Sequence, residues 1–286
     1  MPCCEKNQED KVVKIQLKNG WRGLAVDGCE EIAAEPERLC LNFEKTFKAE
    51  SHSCIGLKRL NCRTGQIVVV VKRHSGNKGL KEFFRSLSMA SKAFRNFKLG
   101  YLLREKGVAA VRPLAALQKR KHGRLRESIF VTEYKPDRIS LDDFVHQRIK
   151  INENELNTAK RQITDEIAKL LADLHKASLW HRDTKVANFL IYKDDENKFK
   201  AELVDMDGIK RYRFKRAECQ LRTLWKLTES LSRFSMIKQS DYLRGFNIYC
   251  DAVGLDKEQR KNIFARCGQM ALAKRLLTLV EDAYKS

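Results

Sequence analysis

The sequence predicts an α+β fold in two lobes, with an antiparallel sheet and one helix in the N-terminal lobe and a largely helical C-terminal lobe. The first third is rich in short β-branched stretches, and Ile67–Val71 is an unbroken run that predicts a buried strand. From Ile163 onward, apolar residues instead recur at helical spacing. At 286 residues the chain lies near the length at which a single core stops growing, which favours two lobes over one.

Short strands and one helix account for the N-terminal lobe. The strand candidates are Leu39–Lys48, Cys54–Cys62, Ile67–Val71, Val111–Leu117 and Ser128–Tyr134. A turn at Arg63–Gln66 and a cationic loop at Lys119–Arg124 are expected to close two hairpins. Leu80–Glu105 has a helical pattern, which ends at Gly107. Its predicted inward-facing residues are Phe84, Leu87, Phe94, Leu99 and Leu102.

The lobe boundary is placed where Pro136 and Asp137 interrupt the pattern, so that residues 1–135 form the N-terminal lobe and residues 136–286 the C-terminal lobe. Ser140 follows as a predicted helix N-cap. A long helix that ends near Ser178 is predicted next from an apolar stripe at helical spacing. The stripe consists of Ile163, Ile167, Leu170, Leu171 and Leu174. Two strands, Phe189–Tyr192 and Ala201–Val204, precede a helical remainder over Ala217–Tyr284.

The chain carries a formal net charge of +20, from 57 Lys and Arg residues against 37 Asp and Glu residues. Such an excess predicts an anionic partner: nucleic acid, a phosphorylated or carboxylated substrate, or an acidic bilayer surface. No sequence signature of a nucleic-acid-binding module accompanies the charge, so nucleic acid is not the expected partner.

Composition also predicts a cytoplasmic protein. No stretch approaches the roughly 20 consecutive apolar residues of a membrane-spanning helix, and the polar start lacks the apolar core of a secretory signal. The nine cysteines include no C-x-x-C pair and no zinc-finger spacing. Reduced thiols in small apolar sites are therefore expected, rather than disulfides or a metal site.

Two segments of the C-terminal lobe carry the residue types that phosphoryl transfer needs. They are His181-Arg182-Asp183-Thr184-Lys185-Val186-Ala187-Asn188 and, after a predicted strand, Asp205-Met206-Asp207-Gly208. Asp183 can accept the proton of an attacking hydroxyl, and Lys185 can reach the transferring phosphoryl group. Asn188 and Asp205 can offer oxygen ligands to Mg²⁺. Each piece alone is common in proteins, but their order, spacing and strand context together indicate a kinase-type site.

These segments give the chain a resemblance to the bacterial lipopolysaccharide core kinases, the Kdo/WaaP (InaA-like) family, over roughly residues 48–213. The resemblance also rests on Asn188-Phe189-Leu190 and on an upstream block that runs Ser91-Lys92-Ala93-Phe94-Arg95-Asn96 and then Leu102-Leu103-Arg104-Glu105-Lys106-Gly107. It implies a two-lobed protein-kinase-like fold. It also implies an enzyme that uses ATP and Mg²⁺ to phosphorylate a heptose or Kdo sugar of the lipopolysaccharide inner core, at the cytoplasmic face of the inner membrane.

The same resemblance assigns roles to individual residues. It implies that Lys72, at the end of a β-branched strand, contacts the ATP phosphates and that Asp183 is the base. It places Mg²⁺ on Asn188 and Asp205, with Asp207 as a further candidate. The nucleotide is expected between the lobes, with adenine against the backbone near Thr132–Tyr134, which makes Glu133 and Tyr134 candidates for nucleotide binding.

Two features depart from the family pattern. The polar turn Lys48–Ser53 stands where a glycine-rich phosphate loop would be, and no glutamate stands where the partner of Lys72 is expected. The aligned stretch offers Asn96 and Lys98 instead, and the nearest acids are Glu82 and Glu105. Two alternatives therefore stay open: a kinase-like phosphotransferase with a protein or small-molecule acceptor, and a non-catalytic kinase-like scaffold. The short path from Asp205 to the next helix argues against a protein acceptor.

The cationic run Lys210–Arg216 directly follows the Asp205–Gly208 turn. Such a run is either a solvated surface or a site that recognises the carboxylates and phosphates of an acceptor. Basic residues over Lys119–Arg126 and Lys72–Arg85 could in addition hold the protein against anionic lipid. The expected location is therefore cytoplasmic and peripheral on the inner membrane.

Overall fold

The computed structural model describes residues 11–17, 19–63, 65–76, 90–146, 152–212, 214 and 216–283. The chain divides into two compact units. Unit 1 comprises Met1–Leu102 and Val111–Lys135, and unit 2 comprises Leu103–Ala110 and Pro136–Ser286. Each unit is described by itself below.

Unit 1 is built on a seven-stranded antiparallel sheet with the strand order β1-β2-β6-β7-β5-β4-β3. The strands are β1 (Val12–Gln16), β2 (Trp21–Val26), β3 (Lys45–Glu50), β4 (Ser53–Cys62), β5 (Gly65–Ser75), β6 (Pro113–Lys121) and β7 (Arg124–Glu133). The sequence analysis missed β1 and β2. Since β1 alternates exposed with half-buried residues, it carries only a weak hydrophobic signal.

The third predicted strand is buried on one face only. Within β5, Val69 and Val71 are fully buried, whereas Val68 and Val70 are partly exposed. The prediction of an entirely buried strand is therefore wrong. An antiparallel sheet commonly packs one face on a core and leaves the other in contact with solvent. The unbroken β-branched run reflects the strand propensity of these residues and not burial on both sides.

A helical turn precedes β3 where the sequence indicates a strand from Leu39. Helix α1 covers Pro36–Leu39, with the proline in its first turn, where the missing N–H costs least. Strand β3 begins only at Lys45. The first hairpin is confirmed, since Cys62 pairs with Gly65 across the turn.

Helix α2 covers Lys92–Glu105, and its first turn is capped by Ser91, whose Oγ accepts a hydrogen bond from the Phe94 N–H at 3.3 Å. Residues 77–89, with the predicted inward positions Phe84 and Leu87, lie outside the described residues. The predicted phase is wrong: Phe94, Leu99 and Leu102 are half-buried, and the buried positions are Ala93, Asn96, Phe97, Gly100 and Leu103. As predicted, the chain leaves the helix by Gly107, which has a positive φ of 73°.

The hairpin between β6 and β7 is tighter than the sequence indicates. Its turn consists of His122 and Gly123, with φ angles of 50° and 75°. Two consecutive positive φ angles are typical of a type I′ turn, whose twist matches that of the flanking strands. Most of the predicted cationic loop over Lys119–Arg124 therefore belongs to the two strands.

Unit 2 combines five helices with two small antiparallel sheets. The helices are α3 (Leu141–Val145), α4 (Glu153–Lys176), α5 (Arg216–Leu231), α6 (Gln239–Val253) and α7 (Lys257–Ala283). The strands are β8 (Ile139–Ser140), β9 (Leu179–His181), β10 (Phe189–Lys193), β11 (Phe199–Leu203) and β12 (Ile209–Arg211). Strands β8, β10 and β11 form one sheet, and β9 pairs with β12 in a two-stranded ribbon that the sequence analysis missed.

Three local predictions for unit 2 are confirmed. The Ser140 Oγ accepts a hydrogen bond from the Asp143 N–H at 3.2 Å, which makes Ser140 the N-cap of α3. The predicted stripe of α4 is buried throughout, from Ile163 to Leu174. Strands β10 and β11 lie within a few residues of their predicted bounds. The helical remainder is divided into α5, α6 and α7, and the predicted core side chains of α7 (Leu272, Leu276, Leu277 and Val280) lie outside the described side chains.

The seven described cysteines are free thiols, as the sequence predicts: Cys29, Cys40, Cys54, Cys62, Cys219, Cys250 and Cys267. Burial raises the pKa of the Cys250 thiol to about 11 and that of Cys62 to about 11. Both thiols therefore stay protonated and weakly nucleophilic near neutral pH. Over the described ranges, the helices are all too short or too polar to traverse a lipid bilayer.

Candidate active site

The two segments singled out in the sequence meet in unit 2. Strand β9 ends at His181, which pairs with Ile209 of β12, and the Arg182 N–H donates to the Gly208 carbonyl at 2.9 Å. At the other end of the first segment, the Val204 N–H donates to the Asn188 carbonyl at 3.1 Å. These backbone bonds fasten the loop His181–Asn188, here called the catalytic loop, to the turn Asp205–Gly208, here called the metal turn.

His181 braces both segments through its side chain. Its Nδ1 accepts a hydrogen bond from the Asp183 N–H at 3.2 Å, so its Nε2 carries the proton and donates to the Asp205 carbonyl at 3.0 Å. The imidazole is fully buried, and burial lowers the pKa of His181 below its usual value. The ring is therefore neutral at physiological pH, in the one tautomer that can bridge the loop and the turn.

Gly208 makes room for that bridge. A Cβ at this position would lie 2.3 Å from the His181 Cε1 and 2.8 Å from its Nδ1. No real Cβ comes so close to a ring atom, and the ring is held on both nitrogens, so it could not move aside without losing a bond. Glycine is required here because the imidazole packs directly against the backbone of the metal turn.

Asp183 presents its carboxylate to solvent from a fixed backbone. Its side chain is 59% exposed, and the Lys185 Nζ lies 3.5 Å from its Oδ2. The backbone carbonyl of Asp183 accepts a hydrogen bond from the Asn188 Nδ2 at 2.7 Å. A mobile carboxylate on a rigid loop, with a cation beside it, suits a group that takes a proton from a bound hydroxyl.

Asn188 is joined by a backbone hydrogen bond to Val204, the residue before Asp205, and Asp205 and Asp207 carry further oxygen atoms on the metal turn. Asn188 is buried, and because its Nδ2 donates to the loop, its Oδ1 is the amide atom left for a cation. The Asp205 Oδ1 accepts a hydrogen bond from the Asp207 N–H at 3.2 Å, which shapes the metal turn. Amide and carboxylate oxygens are the donors that Mg²⁺ prefers, so the residues present fit that cation. No cluster of three or more His, Cys, Asp or Glu side chains is placed to hold a metal among the described residues, so Mg²⁺ here would need the Asn188 oxygen and nucleotide phosphates as well.

Helix α5 contributes two hydroxyl groups that the sequence analysis missed. The Thr223 Oγ1 donates to the His181 carbonyl at 3.2 Å, and the Ser230 Oγ accepts a hydrogen bond from the Val186 N–H at 3.2 Å. Both residues act on the backbone of the catalytic loop. Their only sequence signal is two hydroxyls on one helix, seven residues apart and therefore about two turns along the same face.

The predicted nucleotide-binding residues of unit 1 lie in its central strands. Lys72 is half-buried in β5, between Ile55 of β4 and Phe130 of β7. Glu133 ends β7 and donates its N–H to the Arg112 carbonyl at 2.9 Å, and the Tyr134 N–H donates to the Val68 carbonyl at 3.0 Å. These two backbone donors are thus engaged within unit 1 and are not available to an adenine ring in this conformation.

The structure describes both places where the sequence departs from the family pattern. The turn between β3 and β4 is only Ser51 and His52 long, so it is a tight hairpin and not a wide loop. On α2, Asn96 is 5% exposed, whereas Glu105 and Lys98 are exposed. Glu82 lies outside the described residues.

In the cationic run that begins on β12, the side chains of Lys210, Arg211 and Arg216 are all exposed. Arg213 and Lys215 lie outside the described residues. The run begins on a strand whose partner, β9, leads into the catalytic loop. Lys210 pairs with Trp180, three residues before Asp183, so an anionic group bound at Lys210 lies near the start of the catalytic loop.

Comparison with known proteins agrees with this arrangement. The model of the lipopolysaccharide kinase (Kdo/WaaP) family matches residues 64–249, well over half of the chain and including every residue of the catalytic loop and the metal turn. The chain belongs to this family. Its membership confirms the resemblance seen in the sequence and makes the chain a phosphotransferase of the kinase class, as predicted. No curated protein sequence matches the chain.

Two solved structures establish the fold of this Kdo/WaaP family member. A structure of WaaP in complex with acyl carrier protein is 18% identical with a TM-score of 0.60, and the match covers 93% of this chain and 97% of that one. The kinase domain of BubR1 is 12% identical with a TM-score of 0.50, over 94% of this chain and 85% of that one. The predicted two-lobed protein-kinase-like fold is thereby confirmed.

Proposed function

We propose that this chain transfers the γ-phosphoryl group of ATP to a hydroxyl of a heptose or Kdo sugar in the lipopolysaccharide inner core, at the cytoplasmic face of the inner membrane. Family membership supports the reaction class and a lipopolysaccharide-related acceptor. The single observation that carries the proposal is the joining of the catalytic loop to the metal turn through His181. That joining supports the proposal because it links the loop that carries the proposed base to the turn that carries proposed magnesium ligands.

Asp183 is the base in this proposal. Its exposed carboxylate accepts the proton of the sugar hydroxyl as that oxygen attacks phosphorus, a role typically worth about 10²–10⁴-fold in rate. Lys185, 3.5 Å from that carboxylate, balances charge on the transferring group. Because Asn188 and His181 both form hydrogen bonds with the Asp183 backbone, the carboxylate can rotate while the backbone position of Asp183 stays fixed.

Mg²⁺, when bound, neutralises charge on the ATP phosphates, and Asn188, Asp205 and Asp207 are the residues that would hold it. Lys72 contributes a further positive charge to the phosphates. Glu133 and Tyr134 lie where the adenine ring is expected to contact the chain, although their backbone N–H groups donate within unit 1. The assignments of Lys72, Asn188 and Asp205 follow the family motif.

Lys210, Arg211 and Arg216 bind the acceptor. The inner core presents phosphate and carboxylate groups, and arginine guanidinium groups bind such anions with two parallel hydrogen bonds. The proposal predicts that Lys210→Glu with Arg211→Glu raises the KM for the acceptor by about tenfold or more and leaves the KM for ATP nearly unchanged. Equal increases in the two constants would contradict acceptor binding at this strand.

Phosphoryl transfer from γ-labelled ATP to purified core lipopolysaccharide tests the proposed function. Acceptors truncated before the heptose residues identify the sugar, since a Kdo kinase still labels them and a heptose kinase does not. Labelling of an added protein or small molecule, with none of the core, would replace the proposed acceptor. ATP binding without transfer to any acceptor would favour the scaffold alternative.

A second proposal concerns an acyl carrier protein, the molecule bound in the WaaP structure. Unit 2 has a partly open cavity of about 280 Å³ among α3 to α7, lined mostly by apolar side chains that include Leu141, Ile163, Leu227 and Phe246. Such a cavity accepts a flexible hydrocarbon chain. We expect an acylated carrier protein to bind this chain, and the unacylated form to bind at least tenfold more weakly in a fluorescence titration. Equal affinities would place the contact outside the cavity.

A further inference from the structure

One aromatic side chain in unit 2 is far more exposed than the other large apolar residues. Phe214 is 84% exposed, whereas the other exposed large apolar side chains of the described residues range from 40% to 57%. Single exposed apolar residues are common on protein surfaces and need no explanation by themselves. Phe214 differs because of the charges around it and the way its segment is held.

Cations surround Phe214 in the chain. Lys210 and Arg211 precede it, Arg216 follows it, and all three side chains are exposed. No acidic residue occurs between Gly208 and Ala217. The next acid, Glu218, already lies 3.6 Å from Arg266 and is balanced by it. The segment therefore presents one apolar ring within a local excess of positive charge, here called the cationic patch (Lys210, Arg211, Phe214 and Arg216).

The base of the patch is fixed to unit 2. The Tyr212 N–H donates to the Ser178 carbonyl at 3.3 Å, and its hydroxyl donates to the His175 carbonyl at the end of α4. Lys210 and Arg211 pair with Trp180 and Leu179 in the β9–β12 ribbon. Trp180, directly opposite Lys210, is partly exposed and lies on the same face of the ribbon. The strand and the tyrosine that precede Phe214 are thus fixed to unit 2.

We infer that the cationic patch anchors unit 2 on an anionic lipid bilayer, with Phe214 inserted at the level of the headgroups and the cations paired with phosphates at the membrane surface, among them those of the lipid-linked acceptor to which Lys210, Arg211 and Arg216 are assigned above. An aromatic ring flanked by basic side chains is the combination that binds at the interface of an anionic bilayer, since the ring leaves water while the charges stay with the headgroups. The inference rests on the proposed function for the membrane on which the chain works.

The anchor also lies close along the β9–β12 ribbon to the catalytic loop. Strand β9 ends at His181, and the exposed Arg182 and Asp183 follow it directly. A bilayer held at Phe214 and Lys210 therefore lies beside the strand that leads to the base. This suits an acceptor sugar that is itself attached to a lipid, because the sugar then needs to rise only a short way from the surface.

Vesicle sedimentation with the full chain tests the anchor. The protein should bind phosphatidylcholine vesicles that contain phosphatidylglycerol, and not vesicles of phosphatidylcholine alone, with affinity falling as salt is raised. Phe214→Ala should weaken binding by about tenfold, and Lys210→Glu with Arg211→Glu by more than about fivefold for each charge. The matched controls are Phe47→Ala, at an exposed phenylalanine of β3, and Lys257→Glu with Lys261→Glu on α7. Phe47→Ala should bind vesicles more tightly than Phe214→Ala. The Lys257→Glu, Lys261→Glu double variant should bind more tightly than the Lys210→Glu, Arg211→Glu double variant.

Tryptophan fluorescence provides a second test, which does not depend on normal folding of Phe214→Ala. Phe214→Trp should keep vesicle binding, and the fluorescence gained over wild type should shift to the blue when anionic vesicles are added. No shift, or equal loss of binding in Phe214→Ala and Phe47→Ala, overturns the anchor.

The two proposals fail separately. Wild-type protein that phosphorylates core lipopolysaccharide but binds vesicles independently of Phe214 overturns the anchor and leaves the function. Wild-type protein that binds vesicles through Phe214 but transfers no phosphate to the core supports the anchor and contradicts the function.

Discussion

The catalytic loop of unit 2 and the central strands of unit 1 hold their candidate residues in different ways. In unit 2, side chains from distant parts of the chain fix the catalytic loop: His181 contacts the metal turn, and Thr223 and Ser230 reach it from α5. In unit 1, Lys72 is positioned by strand pairing with Ile55 and Phe130. Side-chain contacts depend on particular residues, whereas backbone pairing tolerates most substitutions. Substitutions that remove the His181 contacts should therefore change both stability and turnover in unit 2, but replacement of Lys72 in β5 should change mainly nucleotide binding.

The largest effect in this contrast is expected from Lys72→Ala. Loss of a cation on the phosphates should lower kcat/KM for ATP by about 10²-fold, while the melting temperature stays close to that of wild type because the strand pairing is unchanged. The matched control is Arg73→Ala on the neighbouring position of β5, whose side chain pairs with Glu127 instead. A nucleotide effect of Arg73→Ala as large as that of Lys72→Ala would contradict the assignment of Lys72.

Gly208→Ala should damage both stability and chemistry. The added Cβ would lie 2.3 Å from the His181 ring, so we expect a loss of about 1–3 kcal/mol in the free energy of unfolding and at least a tenfold lower kcat. Gly268→Ala on α7 is the control, since a Cβ there meets nothing within 4 Å, and alanine favours a helix. Urea denaturation and steady-state kinetics check the pair. Equal stabilities for the two variants would remove the steric argument for Gly208.

Buried histidines should make unit 2 sensitive to acid. Burial lowers the pKa of His175 to about 3 and also lowers that of His181, so both are neutral in the folded protein where an unfolded histidine would take up a proton. Their contribution to stability is complete above the usual pKa of about 6.5 and is lost as the pH falls from there toward the folded-state values. The slope is at most about 1.4 kcal/mol per pH unit for each histidine.

His175→Phe tests that pH dependence. The free energy of unfolding, measured in urea between about pH 7 and pH 4.5, should fall less steeply for the variant than for wild type. The variant also loses the hydrogen bond between the His175 Nδ1 and the Tyr249 hydroxyl, 2.7 Å long, so its stability near pH 7 should be lower. An unchanged slope would mean that other groups control the acid transition.

The smallest effect is expected from Ser230→Ala, which leaves the Val186 N–H without its hydroxyl partner. We expect a loss of about 1 kcal/mol in stability and a severalfold lower kcat, because the catalytic loop becomes less well ordered. Ser232→Ala, an exposed serine two residues along that donates to the Glu229 carbonyl, is the control and should be close to neutral in both assays. A kcat for Ser230→Ala equal to that of Ser232→Ala would show that α5 does not position the loop.

The features that could be predicted from sequence are those with local causes. The spacing from Asp183 to Asn188 lies within one loop, the cap at Ser140 acts three residues away, and the buried stripe of α4 repeats within one helix. Each depends on neighbours in the chain, so the sequence contains most of the information needed.

The features that were missed depend on distant pairings. Strands β9 and β12 are only three residues long each and pair across 27 intervening residues, so neither has a hydrophobic period to detect. The phase of α2 is set by tertiary packing, which buries Phe97 and Leu103 where periodicity alone favoured Phe94 and Leu102. Likewise, Thr223 and Ser230 acquire their roles only when α5 packs against the catalytic loop.

The most direct test of the central claim compares wild type with Asp183→Asn in one assay of ATP binding and ATP turnover, with and without purified core lipopolysaccharide. Asparagine keeps the size of the side chain, and the backbone bonds to His181 and Asn188 can remain, so ATP binding should be close to that of wild type. Turnover stimulated by the acceptor should fall by at least about 10²-fold, because no carboxylate is left to take the proton. Acceptor-stimulated turnover at the wild-type rate in Asp183→Asn would contradict the assignment of the base and, with it, the proposed mechanism.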